Sequence, residues 1–544
     1  MKSTMGFGSL TLAHVLRHGA TWHAGREVVT VEDGTRQRAT FAEVGATAAR
    51  LAHGLRGLGV TGDERVGTLL WNTRTHLETY LAVPAMGAVL HSANLRLSPD
   101  QLAYTINAAQ DRVLIVAAEA VDQLVAVLPL LTTVRTVVVD GAVPPHLRDL
   151  GLDVLSYEDL VVQGEDEFPW PEVDENSAAA LCFTTGTTGD PKGVAYSHRS
   201  ILLQCLAAAT TNALRIGADD RVLMVVPMFH ATAWAHPYAA YWFGADLVLP
   251  SRHVDPVSLL DMVVTERVTF ANGVPTIWNG VLRELRTSAV ERDISCLDRI
   301  VVGGAALPPA LLDGFAERGV SVVQGWGMTE TSPLITASRP ARDAGPDRRR
   351  GQQLSQGRLL AGVELRLRHP ETGAPVAADG RSVGEVELRG PWVTTSYLGG
   401  AGEEGFRDGW LRTGDIGTVD PDGFVRLTDR SKDVIKSGGE WISSVELENC
   451  LLGHPDLFDA AVIGVPDERW DERPCAVVVP RPGVEVDVRA LRAWLVGRVT
   501  KWWVPERWSV VEAIARTSVG KIDKRTLRQQ YESGQLPLRQ SPTS

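Results

Sequence analysis

Short apolar bursts alternate with longer amphipathic stretches along most of this 544-residue chain, and that alternation restricts its fold more than any other feature. "DRVLIVAAE", "RTVVVDG", "DRVLMVVPM", "DRIVVGGAAL" and "GVSVVQGWG" have the length and β-branched content of buried strands. "TFAEVGATAARLAHGLRGLG" and "PALLDGFAERG" carry apolar residues at helical spacing. Strands joined through helices need crossover connections, which favour parallel sheets covered on both faces, so an α/β fold is expected. One core stops growing at about 250–300 residues, so the chain must divide. Further along, "GVELRLRHP", "GEVELRG" and "GFVRLTDR" alternate apolar with polar residues between Gly and Asp-Gly turns, predicting a small antiparallel β region. Beyond it, "SSVELENCLLGHP", "DAAVIGVP", "PCAVVVP" and "VRALRAWLVGRV" predict a compact α+β domain. The expected domains are 1–429 and 430–544. "GEDEFPWPEVDEN" and "ARDAGPDRRRGQQ" read as exposed segments, and "ESGQLPLRQSPTS" as a frayed end.

Charge and cysteine usage narrow the functions open to such a chain. A net charge of -12 argues against a general nucleic-acid binder, which needs a basic face. Five dispersed cysteines without a C-x-x-C pair suit reduced thiols better than a disulfide framework or a zinc site. "LTLAHVL" is short and runs into Arg17 and His18, unlike a signal peptide, and no apolar run reaches the ~18 residues of a membrane span. A cytoplasmic, soluble enzyme is expected, with peripheral membrane contact left open.

The stretch "FTTGTTGDPKGV", Phe183 to Val194, is built to approach an anion. Glycines let the backbone come close, threonine hydroxyls donate hydrogen bonds, and Lys192 adds a point charge. A Walker A loop would place Gly-Lys-Ser/Thr after four free positions, whereas Lys192 stands between Pro191 and Gly193. Alone, such a run reads as a mobile surface loop before it reads as a phosphate cradle.

Four more stretches change that balance: "QGWGMTETSP", "GWLRTGDIG", "DRSKDVIKSGGEWIS" and "RTSVGKIDK". In this order and at these separations the five resemble the adenylate-forming superfamily of acyl-CoA synthetases, peptide-synthetase adenylation domains and luciferases, from about Leu10 to Tyr531. "PMFHATAWAHPYAA" and "SGGEWISSVELEN" resemble its fatty acyl-CoA synthetase branch. The resemblance implies two half-reactions: a carboxylate attacks the α-phosphate of ATP to give an acyl-adenylate, and coenzyme A then displaces AMP. An anion must reach another anion, so the site must neutralise charge as transfer proceeds.

The resemblance also implies roles. Thr184, Thr185, Gly186, Thr187, Thr188, Gly189 and Lys192 would wrap the β- and γ-phosphates, while Glu330 and Thr184 would hold Mg²⁺. Thr329 would bond a phosphate; Gly325, Trp326, Gly327 and Met328 would lie against the nucleotide, Trp326 standing where many relatives carry Tyr. Asp415 would accept the ribose hydroxyls, Asp429 would mark the hinge, and Arg430 would contact ribose or phosphate. Lys432 and Lys436 would point toward the nucleotide and Trp441 would cover the adenine edge. Lys521 is the catalytic candidate, bridging the acid and the α-phosphate; Lys524 does not match the motif position, and Ala515 replaces a usual Pro. His230 and Trp234 would line the acyl pocket, with Gly303 and Gly304 leaving room for a chain. Gly438 and Gly439 would lie along the pantetheine arm once the small domain has rotated away from its adenylation pose.

Each residue has a plainer reading. Glu330 suits a helix start, "TGD" an ordinary turn, Lys432 and Lys436 a solvated face, and His230 and Trp234 a packed core. The expectation is an ATP- and Mg²⁺-dependent ligase joining a medium- or long-chain fatty acid to coenzyme A, as a cytoplasmic homodimer. The alternatives are an aryl-CoA ligase, an acyl-AMP ligase loading a separate carrier protein, and a non-catalytic acyl-binding protein.

Overall fold

A computed structural model describes residues 1, 3–6, 8–184, 190–438, 440–517 and 521–540. Contacts group the chain into two units: Met1–Gly186, Asp190–Glu364 and Arg389–Leu411 in one, Leu365–Leu388 and Arg412–Ser544 in the other. This division does not coincide with the 429/430 boundary, because residues 412–429 fall in the second unit. Strand pairing explains it. Trp410–Val419 and Phe424–Arg430 are antiparallel neighbours, and Asp415 lies opposite Arg430.

In the first unit a seven-stranded sheet runs Asp153–Ser156, Thr136–Asp140, Asp111–Ala117, Arg65–Leu69, Val89–Ser92, Ala178–Phe183, Gly193–Ser197. Its neighbours are parallel except the last pair, an antiparallel hairpin. A second run of parallel neighbours is Ser321–Gly327, Arg299–Val302, Phe270–Gly273, Arg221–Leu223, Asp246–Leu249 and Glu27–Glu32. The α/β expectation therefore describes this unit. Trp278, Phe315, Leu259 and Leu311 from its helices pack on Ile300, Val302 and Val322 from its strands. Helix Phe41–Gly57 shows how local chemistry sets an element's start: Thr40 Oγ1 accepts from Glu43 N at 3.2 Å, and Glu43 Oε2 accepts from Thr40 N at 2.7 Å.

The burst "DRVLMVVPM" promises a longer strand than the Arg221–Leu223 observed. Two buried asparagines cut it short. Asn72 Nδ2 donates to Met224 O at 2.6 Å and Val226 O at 2.9 Å, and Asn272 Oδ1 accepts from Val225 N and Val226 N at 2.9 Å each. With these main-chain groups satisfied by side chains, the ladder ends and the backbone turns toward Trp234.

Most of the predicted antiparallel region falls in the second unit, with Glu364–Arg368, Gly384–Arg389, Trp410–Val419 and Phe424–Arg430 side by side. Its other sheet is six-stranded and centred on Asp471–Pro480, which pairs with Leu457–Asp467 and Arg507–Val510. Alternate residues of the central strand enter two cores. Ala476 and Val478 pack with Leu447 and Leu491 on one face, while Cys475 and Val477 pack with Leu527 on the other. Two segments given no regular element above, one read as exposed and one as a frayed end, contain ordered elements. Pro346–Gln353 is a helix whose residues 346–350 are exposed, and Gln352 anchors it by accepting from Ala341 N at 2.9 Å. Leu538–Gln540 is a strand against Arg507–Val510 rather than a frayed end, because Leu536 is buried in the core beneath it. Residues 541–544 lie outside the described residues.

Candidate active site

Three clusters in the first unit and two in the second gather the residues expected from the motifs. The phosphate-loop candidate bridges the hairpin Ala178–Phe183/Gly193–Ser197, where Phe183 pairs with Gly193. Its base is closed reciprocally: Thr184 N donates to Lys192 O at 2.9 Å, and Lys192 N donates to Thr184 Oγ1 at 3.1 Å. Thr185, Gly186, Thr187, Thr188 and Gly189 lie outside the described residues. The Lys192 ammonium lies 3.3 Å from Glu404 Oε1 and 5.0 Å above the Tyr397 ring.

The second cluster grows from strand Ser321–Gly327. A Cβ on Gly327 would stand 1.7 Å from Pro333 O, so the chain doubles back there with no space for a side chain. Trp326 is buried opposite Thr336. The strand leads into a short 3-10 turn, Thr329–Thr331, that buries Glu330. Tyr397 Oη donates to Glu330 Oε1 at 2.7 Å, and Tyr196 Oη donates to Thr329 O at 2.7 Å. Tyr397 was no part of the expected set. Its only sequence signal is an aromatic ring inside the polar, Gly-rich "TTSYLGG".

Trp234 belongs to a third cluster with unusual backbone. Ala231, Thr232, Ala233, Trp234 and Ala235 all have positive φ, between 39° and 60°. L-residues lose roughly 1–2 kcal/mol each in such a left-handed turn, so neighbouring groups must hold it. Cys182 Sγ accepts from the N–H groups of Ala231 and Thr232, and Cys205 Sγ donates to Ala235 O at 3.6 Å. Burial pushes the Cys182 thiol up to about 11, so it stays protonated.

The turn delivers the Trp234 ring onto Gly303, where a Cβ would lie 2.8 Å from Trp234 Cη2 and 3.2 Å from Gly325 O. The space that Gly303 was expected to leave open is therefore taken by indole, and the acyl and nucleotide candidates adjoin. Gly304 follows with φ +82 and His230 is half-buried. His236 packs edge-on at 5.9 Å from the Trp234 ring. Asn272 Oδ1 is engaged by two N–H groups, so its Nδ2 donates to His236 Nδ1 at 2.8 Å and the imidazole proton sits on Nε2. Burial lowers this imidazole to about 3, leaving the Trp234 surroundings uncharged there.

In the second unit Arg430 Nε pairs with Asp415 Oδ1 at 2.7 Å, and Asp415 N donates to Thr413 Oγ1 at 3.0 Å. The two ribose candidates thus face each other across adjacent strands. Lys436 and Trp441 are cross-strand partners, and the Lys436 ammonium lies 3.5 Å from Glu371 in an exposed pair. Lys432 is exposed, and its carbonyl accepts from Arg528 at 3.1 Å. Gly438 has φ +61, and a Cβ there would meet Trp470 at 2.9 Å; Gly439 lies outside the described residues.

Lys521 is exposed, and it bonds Thr517 across residues 518–520, which lie outside the described residues: Thr517 N donates to Lys521 O at 2.8 Å and Lys521 N to Thr517 Oγ1 at 3.2 Å. Lys524 is buried instead. Its ammonium lies 2.8 Å from Glu448 Oε1 and donates to Ser444 Oγ, whose own N–H donates to Asp429 Oδ2 at 2.7 Å. Burial pushes both the Asp429 and Glu448 carboxyls up. It would lower the Lys524 ammonium, but Glu448 and then Asp429 outweigh it and hold that ammonium above its ordinary value.

A family model described as AMP-binding enzyme matches residues 16–398, and one described as AMP-binding enzyme C-terminal domain matches residues 446–521. The chain is 42% identical over 533 residues to a 3-methylmercaptopropionyl-CoA ligase of Ruegeria lacuscaerulensis, covering 96% of this chain and 97% of that one. It is 43% identical over 540 residues to a long-chain-fatty-acid–CoA ligase of Thermus thermophilus, covering 98% and 97%. Among solved structures it is similar to the anthranilate CoA ligase AuaEII in complex with anthranoyl-AMP, with a TM-score of 0.88, 26% identity and coverage of 98% and 100%.

Proposed function

The chain belongs to the family of AMP-binding enzymes and is an AMP-forming acid–thiol ligase that uses ATP, Mg²⁺ and coenzyme A; from that premise we propose that its acid is a medium- or long-chain fatty acid. The observation carrying this reading is the seat of Trp234 on Gly303 beside the Gly325 carbonyl, among alanines and a neutral His236. An apolar chain loses little by entering such surroundings, whereas an ammonium group would need a carboxylate partner. The relatives at 42% and 43% identity act on different acids, so identity alone does not select one.

The chemistry divides over two displacements. A carboxylate oxygen bonds to the α-phosphorus as pyrophosphate leaves, and a sulfur nucleophile then bonds to the acyl carbon as the C–O bond to AMP breaks. Lys521 supplies positive charge to the acid and the α-phosphate in the first step. Lys192 and the loop from Thr184 neutralise the outer phosphates, Thr329 bonds a phosphate, and Trp326 stacks on the adenine between Gly325 and Gly327. Asp415 accepts the ribose hydroxyls, assisted by Arg430. Lys432, Lys436 and Trp441 complete the nucleotide contacts, and Gly438 and Gly439 serve the thiol half-reaction. Asp429 and Arg430 mark the functional boundary between residues 1–429 and 430–544. Mg²⁺ prefers oxygen ligands, which the Glu330 carboxylate and Thr184 hydroxyl provide; bound there, it would neutralise phosphate charge.

A cytoplasmic location is inferred from the dispersed cysteines without a C-x-x-C pair, and a homodimer from the resemblance. Among the described residues no helix is long and apolar enough to cross a membrane.

The test is a screen of fatty, aryl and short thioether acids for ATP-dependent pyrophosphate release, with and without coenzyme A. Fatty acids should give the highest kcat/KM, with thioester formed on free coenzyme A, and Trp234→Ala should shift the chain-length profile. Preference for an aryl or short acid, or thioester formed only on a carrier protein, would replace the proposal.

A further inference from the structure

A phosphate-binding lysine and a metal-binding glutamate in one site face a shared hazard: they can neutralise each other before any ligand arrives. Resting on the reading of Lys192 and Glu330 given above, we infer that Tyr397 is a positioning residue that keeps the two apart and aims each at its own ligand. Its two ends meet opposite charges. The hydroxyl donates to Glu330 Oε1 at 2.7 Å, and the ring carries the Lys192 ammonium 5.0 Å from its centroid. Among the described residues the ion pair of Lys192 is with Glu404, not with Glu330.

The segment bearing Tyr397 is stitched to the turn that presents Glu330. Trp392 Nε1 donates to Leu334 O at 3.2 Å, Thr394 N donates to Glu330 O at 2.8 Å, and the Tyr397 hydroxyl completes the series on the Glu330 side chain. Main chain and carboxylate of Glu330 are therefore fixed by one short stretch. On the other side Gly402 closes over the lysine: a Cβ there would stand 2.3 Å from Lys192 Nζ and 3.1 Å from Tyr397 Cδ2. Among the described residues Lys192 thus lies against the tyrosine ring with an exposed, salt-screened carboxylate as its ionic partner. A cation resting on a π face and an exposed acid is readily surrendered to a polyphosphate, whereas one bonded to the buried Glu330 would not be. A phenol hydroxyl bonded to one oxygen of Glu330 fixes the carboxylate plane while leaving the other oxygen for a metal. This is how outer contacts orient metal ligands.

Removing the hydroxyl and removing the ring make different changes. Tyr397→Phe should weaken MgATP binding about 10-fold by calorimetry without acid, at the lower end of such outer-contact effects. It should raise the Mg²⁺ midpoint for pyrophosphate release by a similar factor, and saturating Mg²⁺ should recover most of the rate, which a merely distorted site would not allow. Tyr397→Leu should in addition weaken metal-free ATP, measured in EDTA, several-fold, because Lys192 is then free to pair with Glu330. Glu330→Gln is the reference. If it shifts the Mg²⁺ midpoint while Tyr397→Phe leaves both midpoint and MgATP binding unchanged, the positioning role is overturned and the reading of Glu330 stands. If Glu330→Gln shifts nothing, that reading fails and this inference falls with it. Unchanged metal-free ATP binding in Tyr397→Leu would overturn the spacing role.

Discussion

Lys521 and Lys524 stand three residues apart in "GKIDK" and live in opposite surroundings. Lys521 is exposed, while Lys524 starts helix Lys524–Glu532 with its ammonium buried against Glu448 and Ser444. An exposed ammonium stays in contact with water, and its transfer to a phosphate needs no buried charge to be left behind. A buried one is committed, because two carboxyls already pushed up by burial depend on it. In the proposed reading the same residue type therefore serves chemistry at one position and architecture at the next turn. Asp429, the expected hinge residue, belongs to the architectural set through Ser444.

That contrast can be broken by experiment. Lys524→Met should cost about 3–5 kcal/mol of stability in urea unfolding, the usual result of removing one partner from a buried ion pair. A loss below about 1 kcal/mol would mean that water reaches the cluster. Lys521→Ala should leave stability within about 0.5 kcal/mol while raising the barrier to acid-dependent pyrophosphate release by about 3–4 kcal/mol, or 10²–10³ in rate. Thioester formation from supplied acyl-adenylate should be spared. Equal loss in both half-reactions would remove the distinction between the two lysines. The double variant Lys524→Met/Glu448→Gln sharpens the contrast on the buried side. It should be more stable than the sum of its single changes by about 2 kcal/mol, since the residues share one network.

The motifs were legible because each gathers its residues in one stretch: "GMTE" delivers Glu330 and its turn together, and "RTGD" delivers Asp415. The parallel strands were legible because burial on both faces leaves continuous apolar runs. What escaped depends on contacts between distant residues. Tyr397 reaches Glu330 across 67 positions, Lys524 reaches Ser444 across 80, and Asn72 ends a strand 152 positions away. The left-handed turn at Ala231–Ala235 escaped for a different reason. It contains no glycine, so local propensity points away from the conformation that tertiary contacts impose. "QLPLRQ" looked frayed because only one of its two leucines, Leu536, is an anchor, while Leu538 is exposed.

That turn reverses the ordinary meaning of a deleted methyl group. In the right-handed helix Phe41–Gly57, Ala48→Gly should destabilise by about 1–2 kcal/mol, from added chain freedom and lost burial. At Ala233, equally buried but at φ 47, the same change also relieves a clash of roughly 1–2 kcal/mol, so it should be close to neutral in thermal unfolding. A glycine scan along 231–235 would thus report the handedness of the backbone in solution, residue by residue, without a crystal.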